Sequence, residues 1–246
     1  MDAKKLSAAA CALIAALGLL VATPALATGG GKPSSPAPRI AQPGSHPDGR
    51  TYGEWAARWW QWVLETPLVD PDNPESHPLT DPTGRYCDVG QLGYVWFLAG
   101  TLGPGEVQRT CEVPRDTALF FPLFNQFSGA FLSDPEEQRT EAFLREQVAC
   151  ALEPPELLLL EIDGTEVADP AQFLVESGLF DVQLPEDNIL GVGEDAVPEL
   201  VLSPAVTAGA HVFLFPLPPG KHTIHWEALS EACGIEQDVT YHLRVK

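Results

Sequence analysis

The sequence predicts a mainly β fold: an antiparallel β-sandwich that carries an N-terminal tryptophan-rich helix and one further helix. Three observations predict it. After residue 85, apolar and polar residues alternate in short runs, the period of a strand with one buried face. Gly and Pro interrupt these runs repeatedly, as at Gly103-Pro-Gly105, Asp163-Gly164 and Pro218-Pro-Gly220. Only two stretches, beginning at Thr51 and at Asp134, keep a helical period.

The chain opens with Lys4 and Lys5, an apolar run over residues 8–21 and then Ala25-Leu-Ala27. That is the pattern of a secretory signal peptide, here residues 1–27. Its apolar core is short for a membrane span. Cys11 stands at the start of the apolar run rather than after it, so no lipid anchor is expected. Residues 28–50 are rich in Gly, Pro and Ser and are expected to form a disordered linker. Residues 51–246 are expected to form a single domain, long enough to bury a full core. No later segment is long and apolar enough to cross a bilayer, so the expectation is a soluble protein, secreted or periplasmic. The formal net charge is −20, with 14 Lys and Arg against 34 Asp and Glu. A chain this acidic repels nucleic acid and anionic membrane surfaces, which leaves an extracellular ligand as the expected partner.

The tryptophan helix is the most legible element. Four of the six tryptophans lie in Trp55-Ala-Ala-Arg-Trp59-Trp60-Gln-Trp62. Thr51 and Glu54 have the spacing of a capping box, and Pro67 stops the helix. At about 100° per residue, Tyr52, Trp55, Trp59, Trp62 and Val63 share one face, which Trp60 and Leu64 widen. Glu54, Arg58, Gln61 and Glu65 form a polar stripe, with Glu54 and Arg58 in the order that suits an i,i+4 ion pair. The aromatic stripe reads as core packed on a sheet. Its functional reading leaves Trp60 as an exposed ring platform, with Glu54, Arg58 and Gln61 bordering the site.

Residues 68–85 read as an acidic, proline-rich surface loop. Its oxygens suggest Ca²⁺, but Pro74 and Glu75 occupy positions where an EF-hand needs other residues, so no cofactor is expected. Residues 93–100 read as a strand buried on both faces, and residues 107–113 alternate. Residues 117–125 form the next strand, with Pro122 marking an edge or bulge and Asn125 at its end. The second helix starts at Asp134-Pro135 and stops at Pro154-Pro155, with Leu144, Val148, Ala151 and Leu152 as its apolar stripe. A hairpin with a type I′ turn follows at Asp163-Gly164. Phe173, Val175, Phe180 and Val182 alternate with polar residues. The run at residues 211–215 is a buried strand. The last strand turns Val239, Tyr241, Leu243 and Val245 inward.

Removing Cys11 leaves Cys87, Cys111, Cys150 and Cys233, and an even number in an exported chain implies disulfides. The favoured pairing is Cys87–Cys111 with Cys150–Cys233, because the first joins neighbouring strands. No cysteine spacing suits zinc. Gly191-x-Gly193-x-x-Ala196 lacks the strand–helix context of a dinucleotide site. His222 and His225 fall on opposite faces of a strand and cannot share a metal. The sequence holds no Ser-elbow, zincin or phosphate-loop motif.

The tryptophan stretch, Cys87-x-x-Gly90-Gln91-x-Gly93-x-Val95-Trp96-Phe97-Leu98-Ala99-Gly100, Arg109-Thr110-Cys111-x-Val113-Pro114, Leu119-Phe-Phe-Pro122, Pro219-Gly220-x-His222-Thr223-Ile224 and Asp238-Val239-Thr240-Tyr241 together resemble a family of uncharacterised exported bacterial proteins. The resemblance covers nearly all of residues 28–246 and implies export, but it implies no activity. The closing strands also resemble those of immunoglobulin-like domains, so the expected sandwich is immunoglobulin-like or jelly-roll-like. The resulting expectation is a non-catalytic binding module for a saccharide or other extracellular ligand, with Glu54, Arg58, Trp60, Gln61 and Asn125 as site residues and none catalytic. The alternatives are a carboxylate-based hydrolase with Glu54 as its acid, and a structural envelope or matrix protein.

Overall fold

The computed structural model describes residues 38–246 apart from Glu194, Ala196 and Pro198. The expected signal peptide and residues 28–37 of the expected linker lie outside the described residues.

The described residues form two α-helices and ten strands. In chain order they are α1 (Tyr52–Glu65), β1 (Val95–Phe97), β2 (Glu106–Val113), β3 (Ala118–Phe131), α2 (Glu141–Val148), β4 (Leu157–Ile162), β5 (Thr165–Glu166), β6 (Leu174–Glu176), β7 (Phe180–Gln183), β8 (Val201–Leu214), β9 (Gly220–Ser230) and β10 (Ile235–Val245). One sheet runs β1-β3-β8-β6, with β7 also on β8; the other runs β2-β10-β9-β4-β5. β1 pairs parallel with β3, and β2 pairs parallel with β10. The remaining pairs are antiparallel. The fold is therefore mainly β with two mixed sheets, and the expectation of a purely antiparallel sandwich is corrected. The physical reason is that a period of two reports which face is buried, not which strand lies alongside or in which direction. β2 separates β1 from β3 in the chain but lies in the other sheet, so β1 and β3 meet without a hairpin between them.

β3 and β8 are buried on both faces, which explains why they read as continuous apolar runs rather than alternating ones. On one side Phe121 of β3 stacks on Trp226 of β9 at 5.2 Å, and Trp226 stacks on Tyr241 of β10 at 5.8 Å. On the other side Trp55 of α1 lies 6.2 Å from Phe120 and 5.7 Å from Phe213. Tyr52, Trp55, Trp59, Trp62 and Val63 are all buried, as the helical stripe predicts. An indole buries about 150–250 Å². At about 25 cal/mol per Å², that is on the order of 4 kcal/mol of transfer free energy for Trp59 alone.

Several local expectations are met. Thr51 and Glu54 close the capping box. Asp163 and Gly164 both have positive φ, as a type I′ turn requires. Val239, Tyr241, Leu243 and Val245 face inward. Cys87 bonds to Cys111 and Cys150 to Cys233, although Cys87 sits in a turn before β1 rather than on a strand.

Others need correction. Residues 38–50 were expected within a linker, yet Ile40 bridges to Leu214 and Ala41 is buried, with its N–H donating to the Phe213 carbonyl at 2.9 Å. The Tyr52 hydroxyl donates to the Ala41 carbonyl at 2.6 Å. An edge of β8 thus orders a segment whose own composition would not. Of residues 93–100 only β1 is strand, and it lies at a sheet edge. The helix expected from Asp134 begins at Glu141, after Thr140, whose hydroxyl caps Phe143 N–H; Asp134 instead accepts from Phe131 N–H at 2.7 Å.

Arg109 ties two loops to the strand pair β2–β10. It lies on β2 on the same inward face as Cys111 and Val113, and is 2% exposed. Its guanidinium donates to the carbonyls of Asp81 (2.7 Å), Ala99 (2.8 Å), Gly100 (2.9 Å) and Leu79 (3.2 Å), and to the Tyr241 hydroxyl (3.2 Å). Arg109→Met keeps the stem and removes every donor. It is expected to cost about 3–5 kcal/mol by stranding buried carbonyls. Urea melts that show a lower midpoint at unchanged m-value would establish this, and a change under about 1 kcal/mol would contradict it.

Candidate functional site

One cleft, of about 520 Å³, brings together α1, β3, the loop before β2, residues 189–190 and the start of β10. α1 contributes Trp59, Trp60, Val63 and Leu64, and β3 contributes residues from Pro122 to Phe127. Local chemistry shapes the β3 wall. The β3–β8 register shifts between Pro122 and Phe124, where the missing proline N–H breaks the ladder. Opposite Asn125 stands Gly209, with φ +150°. A Cβ there would lie 2.3 Å from the Phe124 carbonyl oxygen and 2.6 Å from Asn125 Cα. Only glycine allows β8 to press so closely on the backbone that presents Asn125.

The four indoles of α1 divide into two kinds. Trp55, Trp59 and Trp62 donate to the carbonyls of Pro47, Leu98 and Val89 at 2.9, 2.9 and 3.0 Å. They tie the helix to three separate segments. Trp60 is half-buried, packs on Phe127 at 4.7 Å and meets Trp59 edge-on at 5.0 Å. Its Nε1 is buried and has no hydrogen-bond partner, and the same holds for Nδ2 of Asn125. An unmade bond of this kind costs about 1–3 kcal/mol. Gln237, also in the wall, is fully engaged: it accepts from Thr101 N–H at 2.8 Å and donates to the Thr101 carbonyl at 2.7 Å. Glu236, which is exposed, is the one charged residue in the lining.

Of the five expected site residues, Trp60 and Asn125 share this cleft. The other three do not join them. Arg58 and Gln61 line a different groove of about 550 Å³, with Trp55, Trp62 and Tyr94. Gln61 donates to the Asp181 carbonyl at 2.9 Å. Glu54 is exposed and occupied by its cap: it accepts from Thr51 N–H at 2.7 Å and from the Thr51 hydroxyl at 2.9 Å. Helix geometry explains the split, because six residues at 100° carry Trp60 about 120° round the axis from Glu54. The Glu54–Arg58 ion pair does not form among the described residues, since the carboxylate turns to Thr51. The Thr51 N–H and then its hydroxyl hold the Glu54 carboxyl below its ordinary range. A general acid needs the reverse, so Glu54 is not suited to that role.

The acidic loop is less superficial than expected. Asp70 and Asn73 accept from the N–H groups of Asp72 and Glu75, two residues on, which makes them turn formers. Ser76, His77, Leu79 and Asp81 are buried. His77 accepts from Leu79 N–H at Nδ1, while its buried Nε2 makes no hydrogen bond among the described residues. At Asp81 burial raises the carboxyl pKa, but the Tyr86 N–H and both donors of Thr83 outweigh it and hold the group low. His222 and His225 lie on opposite faces of β9, as expected. His222 contacts Asp163 and the Pro218 carbonyl, both at 2.7 Å, while His225 faces Asp238 at 3.2 Å.

No family model matches the chain, and no curated protein does. Among solved structures, the cysteine protease inhibitor EhICP2 from Entamoeba histolytica overlaps 56% of this chain and 86% of its own, with a TM-score of 0.19 and 12% identity. Amebosin overlaps 58% of this chain and 100% of its own, with a TM-score of 0.19 and 9% identity. At such scores neither likeness bears on fold or function.

Two buried histidines make stability depend on pH. Burial pushes both His77 and His211 down to about 4, and the Gly209 carbonyl offsets this partly for His211. The folded values lie below the ordinary 6.5. The unfolded chain therefore binds more protons between about pH 6.5 and 4, and the folded state weakens as pH falls through that window. The expected loss is on the order of 3 kcal/mol for each site. Urea melts of His211→Leu at pH 7 and pH 4 should show a smaller acid-side loss than the parent chain, and an unchanged loss would contradict the assignment.

Proposed function

We propose that the chain is an exported, non-catalytic binding module whose site is the cleft beside Trp60. The observation that carries this reading is the meeting of Trp60 and Asn125 in one concave, mainly apolar wall. A volume of about 520 Å³ lies within the range of about 300–1,000 Å³ typical of small-molecule sites. The other three indoles of α1 are fully engaged in tying the fold together, which leaves Trp60 as the member of the stripe free for a ligand. Two disulfides suit an oxidising compartment, and among the described residues no helix is long and apolar enough to cross a membrane. Export further rests on the expected signal peptide and on the resemblance to exported bacterial proteins.

Two measurements test the reading. A ligand present at a hundredfold excess over its Kd should raise the melting temperature by about 5–10 °C. Leu102→Trp, at a cleft residue that is 67% exposed, should fill the site without disturbing the core and abolish that rise. A rise that persists unchanged in Leu102→Trp would place the ligand elsewhere. Separately, N-terminal sequencing of the exported form should begin at Thr28; an intact Met1 on protein outside the cell would overturn the cleavage assignment.

A further inference from the structure

We infer that the second groove along α1 is a further binding site, one that takes a small aromatic carboxylate. It is separate from the cleft beside Trp60 and does not rest on it. The groove holds about 550 Å³ between α1 and residues 89–97, which is within the ordinary range for small-molecule sites.

The helix places the cations. Arg58 follows Trp55 by three residues and precedes Trp62 by four, so the three lie along one side of α1 and all line the groove. Arg50 reaches the same place from the segment before the helix, with its guanidinium carbon 5.6 Å from the centre of the Trp55 ring. A guanidinium resting on a ring face keeps its edge free, and that edge is a planar fork of donors matched to a carboxylate. The arginine ion pairs among the described residues belong to Arg145 and Arg244, so neither fork is taken by a protein carboxylate. Arg58 is exposed and Arg50 half-buried, which leaves both within reach of a solute.

Three carboxylates belong to the same region, and two of them are turned elsewhere. Glu54 accepts from the N–H and hydroxyl of Thr51, and Glu65 accepts from Gln183 N–H at 3.3 Å, on the β7 side. Asp48 is exposed, and its charge works against an anion. The body of the ligand follows from the facing wall. Leu92 and Tyr94 are 86% and 44% exposed, and Phe97 is half-buried. Leu92 stands between Gly90 and Gly93, both at positive φ, in a turn that holds an apolar side chain out in solvent. An apolar ring would cover this wall while its carboxylate faces the arginines. Size follows from charge. Fields at the surface are screened within about 10 Å at 0.1 M salt. In a chain of net charge −20, a polyanion would run past the groove onto an acidic surface, whereas a single carboxylate stays within reach of the two arginines.

The test titrates 2-naphthoate and its neutral analogue 2-acetonaphthone calorimetrically into the exported, disulfide-bonded chain at low salt. The naphthoate is expected to bind about tenfold more tightly, since each exposed guanidinium contributes a few-fold. Arg50→Gln and Arg58→Gln should each lose about threefold of that preference while leaving the ketone unchanged. Arg58 is exposed, so its variant should melt with the parent chain even if Arg50→Gln loosens Trp55. Salt at about 0.5 M should remove most of the preference. Leu102→Trp fills the other cleft and should leave naphthoate binding as it is, so a failure here is distinguishable from a failure of the cleft reading. Equal affinity for the two probes, or a preference that survives both arginine substitutions or high salt, would overturn the inference. Loss of naphthoate binding in Leu102→Trp, or no binding at millimolar naphthoate, would overturn it as well.

Discussion

A buried guanidinium with no carboxylate bonded to it is the constraint on which much of this structure depends. Arg109 spends its donors on four main-chain carbonyls and one tyrosine hydroxyl. Those carbonyls come from two loops, residues 79–81 and 99–100, that have no regular ladder of their own. The charge is dispersed over peptide dipoles, the fork geometry of guanidinium matches several acceptors at once, and the ring of Tyr241 lies 5.5 Å from its centre. The nearby Asp81 carboxyl is itself held by Thr83 and Tyr86. One side chain therefore converts two loops into walls. One of those walls, at residues 100–104, is also part of the cleft.

The tryptophan helix does two things that its sequence does not separate. Three indole N–H groups reach carbonyls in residues 47, 89 and 98, so the helix is tied laterally as well as packed. The fourth indole packs its ring but leaves its N–H idle. The difference is one of angle round the axis: Trp60 follows Trp59 by 100° and leaves the stripe that meets the ends of loops. Bonded and unbonded indoles are thus adjacent in sequence, and they are told apart by whether a carbonyl lies opposite.

Much of the local structure was legible because it depends on near neighbours. The capping box at Thr51 and Glu54, the turn at Asp163 and Gly164 and the inward face of β10 all follow from spacings of a few residues. Trp60 and Asn125 could be singled out individually, one as a ring beside the core stripe and one as a polar end to an apolar strand. That they share a wall could not be read, because 65 residues and a sheet crossing separate them. Arg109 was visible only as a residue on an alternating strand. Its inward register beside Cys111 and Val113 was the available signal, and a charged side chain there reads as misplaced until the loop carbonyls are seen.

The sequence by itself determined the periods: which residues of α1 and β10 face inward, where α1 is capped, where the turn at Asp163 falls, and that the chain is acidic with an even number of cysteines after residue 27. These are set by torsion preferences and side-chain polarity, which act over a turn or a strand length. Tertiary structure alone decided strand neighbours and their direction, the docking of residues 39–41 beside the end of β8, and the separation of Arg58 and Gln61 from Trp60 into different grooves. Those outcomes turn on which surfaces fit against which. Burial rewards apolar area without regard to sequence distance, so many pairings satisfy the same pattern until shape and hydrogen-bond partners select one.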